Sequence, residues 1–271
     1  MLTHDHTITT GASDWVDTAI RCLELRDPRE KCALVASLPP DPAALSRPVT
    51  LPGAPGRPAR PELVDPRQLP RRQLGSRSGH AAFVHAICHI EFTAINLALD
   101  AAVRFCGMPP AYYADWIRVA REEAIHYSLL DRHLETLGHA YGDFAAHDGL
   151  WDMAQRTADD ILRRMALVPR VMEARGLDVT PPMIRRLNAI GDVAGAGILE
   201  RILADEIGHV AIGSRWFTAV CRDRGLDPEA TFAELVSCEF GTLRGAAMNY
   251  PAREAAGFSA TELDALGGRA G

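Results

Sequence analysis

The sequence predicts an all-α protein built around a four-helix bundle. Aromatic residues make up only 6% of the 271-residue chain, while Ala, Leu and Arg are abundant, a composition that favours helices over sheets. Four long stretches carry apolar residues at helical spacing. Two of them contain a Glu-x-x-His run, and a lone Glu on an apolar stripe precedes each run by a similar distance. This repetition indicates one helical hairpin that occurs twice.

The composition divides the chain into four segments. We predict an N-terminal helical extension over 1–40, a Pro/Arg-rich segment over 41–76, the bundle over 77–225, and a C-terminal helix and tail over 226–271. In the extension, residues 1–12 are expected to be disordered. A capped helix from Ser13 and a second helix from Lys31 to Leu38 follow, separated by Asp27-Pro28.

The segment 41–76, here called the strap, cannot be a regular helix, because eight prolines fall between residues 41 and 80. Residues 41–80 also contain seven arginines but only three acidic residues. The strap is too apolar for a spacer, so we expect it to pack over the bundle in extended form. Two interpretations of its arginines, Arg71 and Arg72 among them, stay open. They either pair with acidic helix faces, or narrow the access to the bundle interior and bind an anionic substrate.

The bundle helices are predicted at about 77–105, 112–137, 150–175 and 193–222. Glu91 lies about 17 residues before the turn at Met108 and Glu123 about 15 residues after it, so an antiparallel hairpin places both at one level. The 12-residue connector over 138–149 could reach about 40 Å when extended.

The second half of the bundle is harder to predict. We expect a bend near Pro169, and Pro181-Pro182 either opens a short helix to Ala189 or lies within a kinked continuation of the third helix. Asp227-Pro228 begins a last helix to about Arg244, and the tail beyond Tyr250 is expected to be peripheral.

Six residues are candidate metal ligands: Glu91, Glu123, His126, Glu173, Glu206 and His209. Residues three apart on a helix share one face, so each Glu-x-x-His run can hold one ion. Buried carboxylates need compensating charge, and the predicted inward faces offer no Lys or Arg. A Glu from each of two helices plus a Glu-x-x-His from each of the other two is the ligand set of a carboxylate-bridged di-iron or di-manganese centre. The alternative is that these residues are surface groups in a wrongly phased helix.

Neighbouring residues are assigned supporting roles. Glu123 and Glu206 are expected to be catalytic as well as ligating, and Tyr127 is interpreted as a redox or gating residue, with simple packing as the alternative. Glu122 and Asp205 each lie four positions before a His and could accept a hydrogen bond from the ring nitrogen that is not on metal; solvated acids are the alternative. His85 and His89 are interpreted as residues that pack behind the ligands.

Charge and cysteine usage limit the class of protein. A formal charge of −6 and a pI near 5.9 argue against a nucleic-acid-binding surface. The start of the chain, from Met1 to Trp15, lacks the pattern of a secretory signal, and we expect no run long enough to span a bilayer, so the predicted location is cytoplasmic. The six cysteines are widely spaced without a C-x-x-C pair, which predicts reduced thiols.

Taken together, these residues resemble the ferritin-like superfamily and, more closely, the bacterial family called domain of unknown function 455. The resemblance spans about residues 15–240. The stretches that carry it are 55–72, 85–91, 122–126, 149–151, 173–178, 205–210 and 216–217. It implies a fold and a di-metal site but no reaction. A more distant similarity, in the lone Glu before Ala-Arg and the later Glu-x-x-His, is to di-iron hydroxylases that modify a hypermodified adenosine in tRNA. The acidic balance and the strap depart from those enzymes.

The function expected from this pattern is a non-haem di-iron oxidoreductase. Two Fe ions, or Mn in their place, would support hydroxylation, desaturation or oxidation of an organic substrate that is anionic if the strap binds it. The expected partners are that substrate and an electron-donor protein, with no membrane, tRNA as the one nucleic acid left open, and a monomer or homodimer. The alternative is an iron-binding, ferroxidase or peroxide-handling protein without an organic substrate.

Overall fold

The computed structural model describes residues 14–70, 74–241 and 247–267, and within them the regular elements are helices. These are α1 (Asp14–Glu24), α2 (Pro28–Val35), α3 (Arg77–Arg104), α4 (Pro110–Thr136), α5 (Gly149–Arg156), α6 (Ile161–Leu167), a π-helix (Val168–Glu173), α7 (Ala174–Ala189), α8 (Val193–Asp223), α9 (Pro228–Phe240), α10 (Tyr250–Ala255) and α11 (Ala260–Gly267), with a short 3₁₀ turn at Pro66–Gln68. The predicted all-α class is confirmed. The disorder expected at residues 1–12 and the arginines at 71 and 72 lie outside the described residues.

Internal contacts divide the chain into two compact units. The first comprises 1–58 and 94–125, and the second comprises 59–93 and 126–271. Two of the boundaries between the units lie inside continuous helices: the one between residues 93 and 94 lies in α3, and the one between residues 125 and 126 lies in α4.

In the first unit, a buried lysine joins α2 to its surroundings. Lys31 is fully buried, and its Nζ donates hydrogen bonds to the carbonyl oxygens of Leu23 and Gly56 and to Oδ1 of Asn96. The strap passes close beside α1 here, because the Gly56 N–H donates to the Leu23 carbonyl at 2.6 Å. A Cβ at Gly56 would lie 2.0 Å from the Glu24 carbonyl oxygen, so glycine is required at this crossing.

We expect the free energy of unfolding to increase with pH because of Lys31. Burial lowers the pKa of Lys31 from 10.5 to about 7, because the ammonium group loses its hydration. Between pH 7 and 10 the unfolded chain therefore binds one more proton than the folded chain, and linkage makes the free energy of unfolding increase with pH. Below pH 7 both states are protonated and the effect levels off. The three oxygen acceptors favour the ammonium form, so the slope is expected below the limit of about 1.4 kcal/mol per pH unit.

Urea unfolding between pH 7 and 9, with Lys31→Met as the reference chain, measures this contribution. The parent is expected to gain stability relative to Lys31→Met as the pH rises. Parallel pH profiles for the two chains would contradict the shifted pKa.

In the second unit, the third predicted helix is interrupted. The sequence predicts it from about 150 to 175, but α5 ends at Arg156 and α6 begins at Ile161. The buried Arg164 is the reason: its guanidinium donates to Oγ1 of Thr157 at 2.9 Å and to the carbonyl of Ala154, and so holds the end of α5. At the predicted bend near Pro169 the helix widens into the π-helix, which leads directly into α7.

The helix then continues without a break through Pro181 and Pro182 to Ala189, so of the two alternatives left open by the sequence, the continuous helix is observed. A proline lacks the N–H that would bond to the carbonyl four residues earlier. The side-chain nitrogen of Asn249 donates to the Leu177 carbonyl at 3.1 Å and supplies the bond that Pro181 cannot make. With α7 unbroken, Glu173 before it and Glu206 within α8 lie at similar distances from the α7–α8 turn, and therefore at a similar level of this hairpin.

The expectation that the tail is peripheral is wrong. Arg253 of α10 is 5% exposed and bonds both carboxylate oxygens of Asp178 at 3.0 and 2.7 Å. Glu262 of α11 is also 5% exposed and lies 2.7 Å from Arg170 of the π-helix. These buried pairs tie the tail to the π-helix and α7, and local periodicity cannot reveal such distant partners. The predicted last helix ends at Phe240 rather than Arg244, where Gly241 takes a φ of 65°.

The strap has contacts in both units. Residues 41–58 lie against α1 and the α3–α4 turn, where Gly107 donates to the Leu45 carbonyl at 2.8 Å. Residues 59–70 meet the connector, where Leu63 forms an isolated parallel bridge with Ala146.

One helix departs from the expectation that no apolar run could span a bilayer. By length and composition alone, α3 is long and apolar enough to do so. Because 83% of its most apolar window is buried in the protein, α3 is a core helix.

Candidate metal centre

A buried carboxylate and a buried imidazole form the centre of the candidate site. Glu91 of α3 is 4% exposed, and His126 of α4 is fully buried. Nδ1 of His126 lies 3.2 Å from Oε2 of Glu91. The apolar stripe of α3 places Glu91 inward, as the sequence predicted.

The opposite ring nitrogen of His126 has a second carboxylate. Its Nε2 lies 2.9 Å from Oδ2 of Asp205 on α8. Spacing along the sequence predicts that Asp205 accepts a hydrogen bond from His209 of the same helix. In the structure, Asp205 instead contacts His126 of α4. Position within one helix could not show this, because the partner belongs to a distant part of the chain. The Arg201 Nε lies 3.7 Å from the same Asp205 oxygen, on its solvent side.

The second Glu-x-x-His run has the predicted local geometry. Nδ1 of His209 lies 3.4 Å from Oε1 of Glu206, and both side chains are on one face of α8. His209 is 1% exposed, and its ring centroid lies 5.8 Å from that of His126.

Four groups converge closely enough to bind a metal. Ligand atoms of Glu91, Glu123, His126 and Glu206 all lie within 4.8 Å of one another. Glu123 is 2% exposed and stands one helical turn before His126 on α4. Three carboxylates held this close repel each other in a dry interior, and a divalent cation relieves that repulsion. Oxygen donors with imidazole suit iron or manganese, so the residues fit the group the sequence predicted.

The other predicted site residues are not members of this group of four. Glu173 is the last residue of the π-helix and is partly exposed, and its role as a bridging ligand stays a prediction. Glu122 is partly exposed. A π-helix ending at a predicted ligand is consistent with that role, since such segments often occur at functional sites.

Tyr127 lies within an aromatic cluster. It is 2% exposed, with its ring centroid 5.7 Å from Phe92 and 5.3 Å from Tyr141. These contacts favour the packing alternative, and a redox role stays a prediction. His85 and His89 bind the connector, because the Gly142 N–H donates to Nε2 of His85 at 2.9 Å and His89 Nδ1 lies 2.8 Å from the Tyr141 hydroxyl.

A second group of potential ligands, formed by His80, His133 and Asp192, was missed by sequence reasoning. A signal was present, because His133 follows His126 by seven residues, two helical turns, and therefore shares its face of α4. His80 likewise precedes Glu91 by about three helical turns.

Comparisons with known proteins give a family but no activity. No solved structure matches the chain. An uncharacterized protein of Haemophilus influenzae is 46% identical over 265 residues, which cover 92% of this chain and 91% of that protein. Residues 24–264 match the family model described as "Protein of unknown function (DUF455)", so the chain belongs to that family.

Proposed function

We propose that this protein is a ferritin-like, non-haem di-iron oxidoreductase whose centre lies at Glu91, Glu123, His126 and Glu206. The observation that carries the proposal is the convergence of three carboxylates and an imidazole within 4.8 Å, three of them at most 4% exposed. Buried acids this close together need positive charge beside them, and two divalent cations would supply it.

The helices support this assignment. Glu91 and Glu123 belong to the α3–α4 hairpin, and Glu173 and Glu206 to the segment formed by the π-helix, α7 and α8. In the proposed arrangement these four helices form the bundle, with Glu173 as the fourth carboxylate and His209 as the second imidazole. This reproduces the ligand set of carboxylate-bridged dinuclear centres.

The protein's own groups prepare the site for metal. Asp205 accepts a hydrogen bond from the Nε2–H of His126, so the lone pair of Nδ1 points towards Glu91 and the other ligands. The carboxylates of Glu91 and Glu123 are buried, so the protein encloses that side of the site. Two bound iron ions would supply two-electron redox chemistry with dioxygen.

Access is proposed from the α8 side of the centre. The side chains of Glu206 and Asp205 are 14% and 32% exposed, in contrast to the enclosed Glu91 and His126. An organic group that reaches the metals would therefore approach past α8. A reductase that delivers electrons is the partner this chemistry requires.

Metal analysis tests the proposal. Protein purified from iron-supplemented cells and reconstituted anaerobically is expected to hold close to two iron ions per chain at this centre, because four carboxylates and two imidazoles make two sites. The oxidised form should show the absorption and Mössbauer signature of a coupled iron pair, and manganese-supplemented cells test the other metal. A content of zero or one ion in the reconstituted chain would overturn the dinuclear assignment. Oxygen consumption without an organic product would instead indicate ferroxidase activity.

A further inference from the structure

The second group of ligand-type residues lies at the start of α8, apart from the centre described above. Nε2 of His80 lies 2.7 Å, and Nε2 of His133 2.9 Å, from the same oxygen of Asp192. The three residues come from α3, α4 and the residue that precedes α8, and all belong to the second unit. His133 is 8% exposed. Both imidazoles therefore direct a nitrogen at one carboxylate oxygen in a nearly closed space.

Asp192 is fixed by its other oxygen. Oδ1 accepts a hydrogen bond from the Gly195 N–H at 2.8 Å and so caps the N-terminus of α8. This cap holds the carboxylate in one orientation and leaves Oδ2 for the two imidazoles.

The space where these groups meet is kept open by a glycine. A Cβ at Gly195 would lie 2.3 Å from Oδ2 of Asp192 and 2.9 Å from Nε2 of His133. Glycine forms helices less readily than alanine does. Its presence here is explained by the need for room around the three converging ligand atoms.

We propose that His80, His133 and Asp192 form a second, mononuclear site for a divalent transition metal such as zinc, with water in the remaining position. Two imidazoles and one carboxylate are a common protein ligand set for such ions. Bonds of about 2.1 Å at a tetrahedral angle place ligand atoms about 3.4 Å apart. The nitrogens of His80 and His133 must therefore move about 0.7 and about 0.5 Å further from Oδ2 of Asp192 when the metal binds.

The site lies apart from the proposed di-iron centre and binds metal independently of it. Two helical turns separate His133 from His126, about 10 Å along α4. The side chains of His80 and Asp192 are 14% and 8% exposed, so the site is mostly enclosed, with its more exposed side at His80. A metal here would link α3, α4 and the start of α8, and it would stabilise the second unit.

Zinc binding by chelator-treated protein tests the proposal. Equilibrium dialysis is expected to show one zinc ion fewer per chain for His80→Gln and for His133→Gln than for the parent. His139→Gln is the matched control, since His139 pairs with Asp143 in the connector and should keep the parent stoichiometry. Repeating the series in the Glu206→Ala background removes a ligand of the di-iron centre, so the remaining loss belongs to the second site.

A spectroscopic readout and a steric variant separate binding from folding. Cobalt in place of zinc should give tetrahedral absorption bands that are lost in His80→Gln, and saturating zinc should raise the melting temperature of the parent more than that of His80→Gln. Gly195→Ala should weaken zinc binding without removing a ligand. If His80→Gln and His133→Gln, both folded by circular dichroism, bind as many zinc ions as the parent, the three residues are a hydrogen-bonded helix cap only.

Discussion

Glu206→Ala is expected to bind iron at least about 100-fold more weakly than the parent while it stays folded at neutral pH. Loss of an outer hydrogen-bond partner alone costs about 10- to 100-fold in metal affinity, and Glu206 is proposed to bind the metal directly. The metal-free chain should not lose stability, because the substitution removes one of three crowded carboxylates. Glu123→Ala should behave in the same way. Iron titration followed by absorbance, together with urea unfolding of the metal-free chains, measures both effects.

Two further variants serve as comparisons for Glu206→Ala. Asp205→Asn should weaken iron binding by about 10- to 100-fold, because it removes the negative charge beside Nε2 of His126 and leaves every proposed ligand in place. Glu234→Ala changes an exposed carboxylate on α9 and should bind as the parent does. Parent-like iron binding by Glu206→Ala would show that the helix faces have been assigned wrongly.

Arg170→Met is expected to destabilise the second unit by about 3–5 kcal/mol, the range for breaking a buried ion pair. Arg170 is 2% exposed and lies 2.7 Å from the equally enclosed Glu262, which would be left as a buried charge without its cation. The guanidinium carbon also lies 4.8, 4.2 and 4.6 Å from the ring centroids of Phe217, Phe232 and Phe258. These cation–π contacts add to the loss.

Urea unfolding measures this difference, and Arg224→Met is the matched control. Arg224 pairs with Asp160 at 2.8 Å but is 41% exposed, so its loss should cost less than about 1 kcal/mol. A double variant, Arg170→Met with Glu262→Leu, should recover part of the stability because no charge stays buried. An Arg170→Met chain as stable as Arg224→Met would refute the importance of the pair.

Local periodicity predicted the parts of the fold that depend on neighbours in sequence. The limits of α3, α4 and α8 fall within about two residues of the predicted ones, because apolar stripes and turn residues define long helices. Glu91 and Glu123 at one level of the first hairpin also followed from counting residues. Spacing therefore predicted the common level of Glu91 and Glu123 and the shared helix face within each Glu-x-x-His run.

The features that the sequence did not determine share a physical cause, which is a partner outside the local helical repeat. Arg164 ends α5 by reaching back to Ala154, and Asn249 supports the helix through Pro181 from a much later part of the sequence. The pairing of His126 with Asp205 depends on which faces of α4 and α8 meet. The meeting of His80 and His133 at Asp192 likewise needs three helix ends in one place. No local pattern contains this information.

The bond from Asn249 to the Leu177 carbonyl has a consequence for the order of events during synthesis. The ribosome adds Asn249, Arg253 and Glu262 long after it has made the proline-containing helix that they support. On the nascent chain, the carbonyl of Leu177 and the buried charges of Asp178 and Arg170 must remain without these partners. The second unit can therefore complete its native hydrogen bonding only when the chain has emerged beyond residue 262, so its final folding step is late and depends on an intact carboxyl-terminal segment.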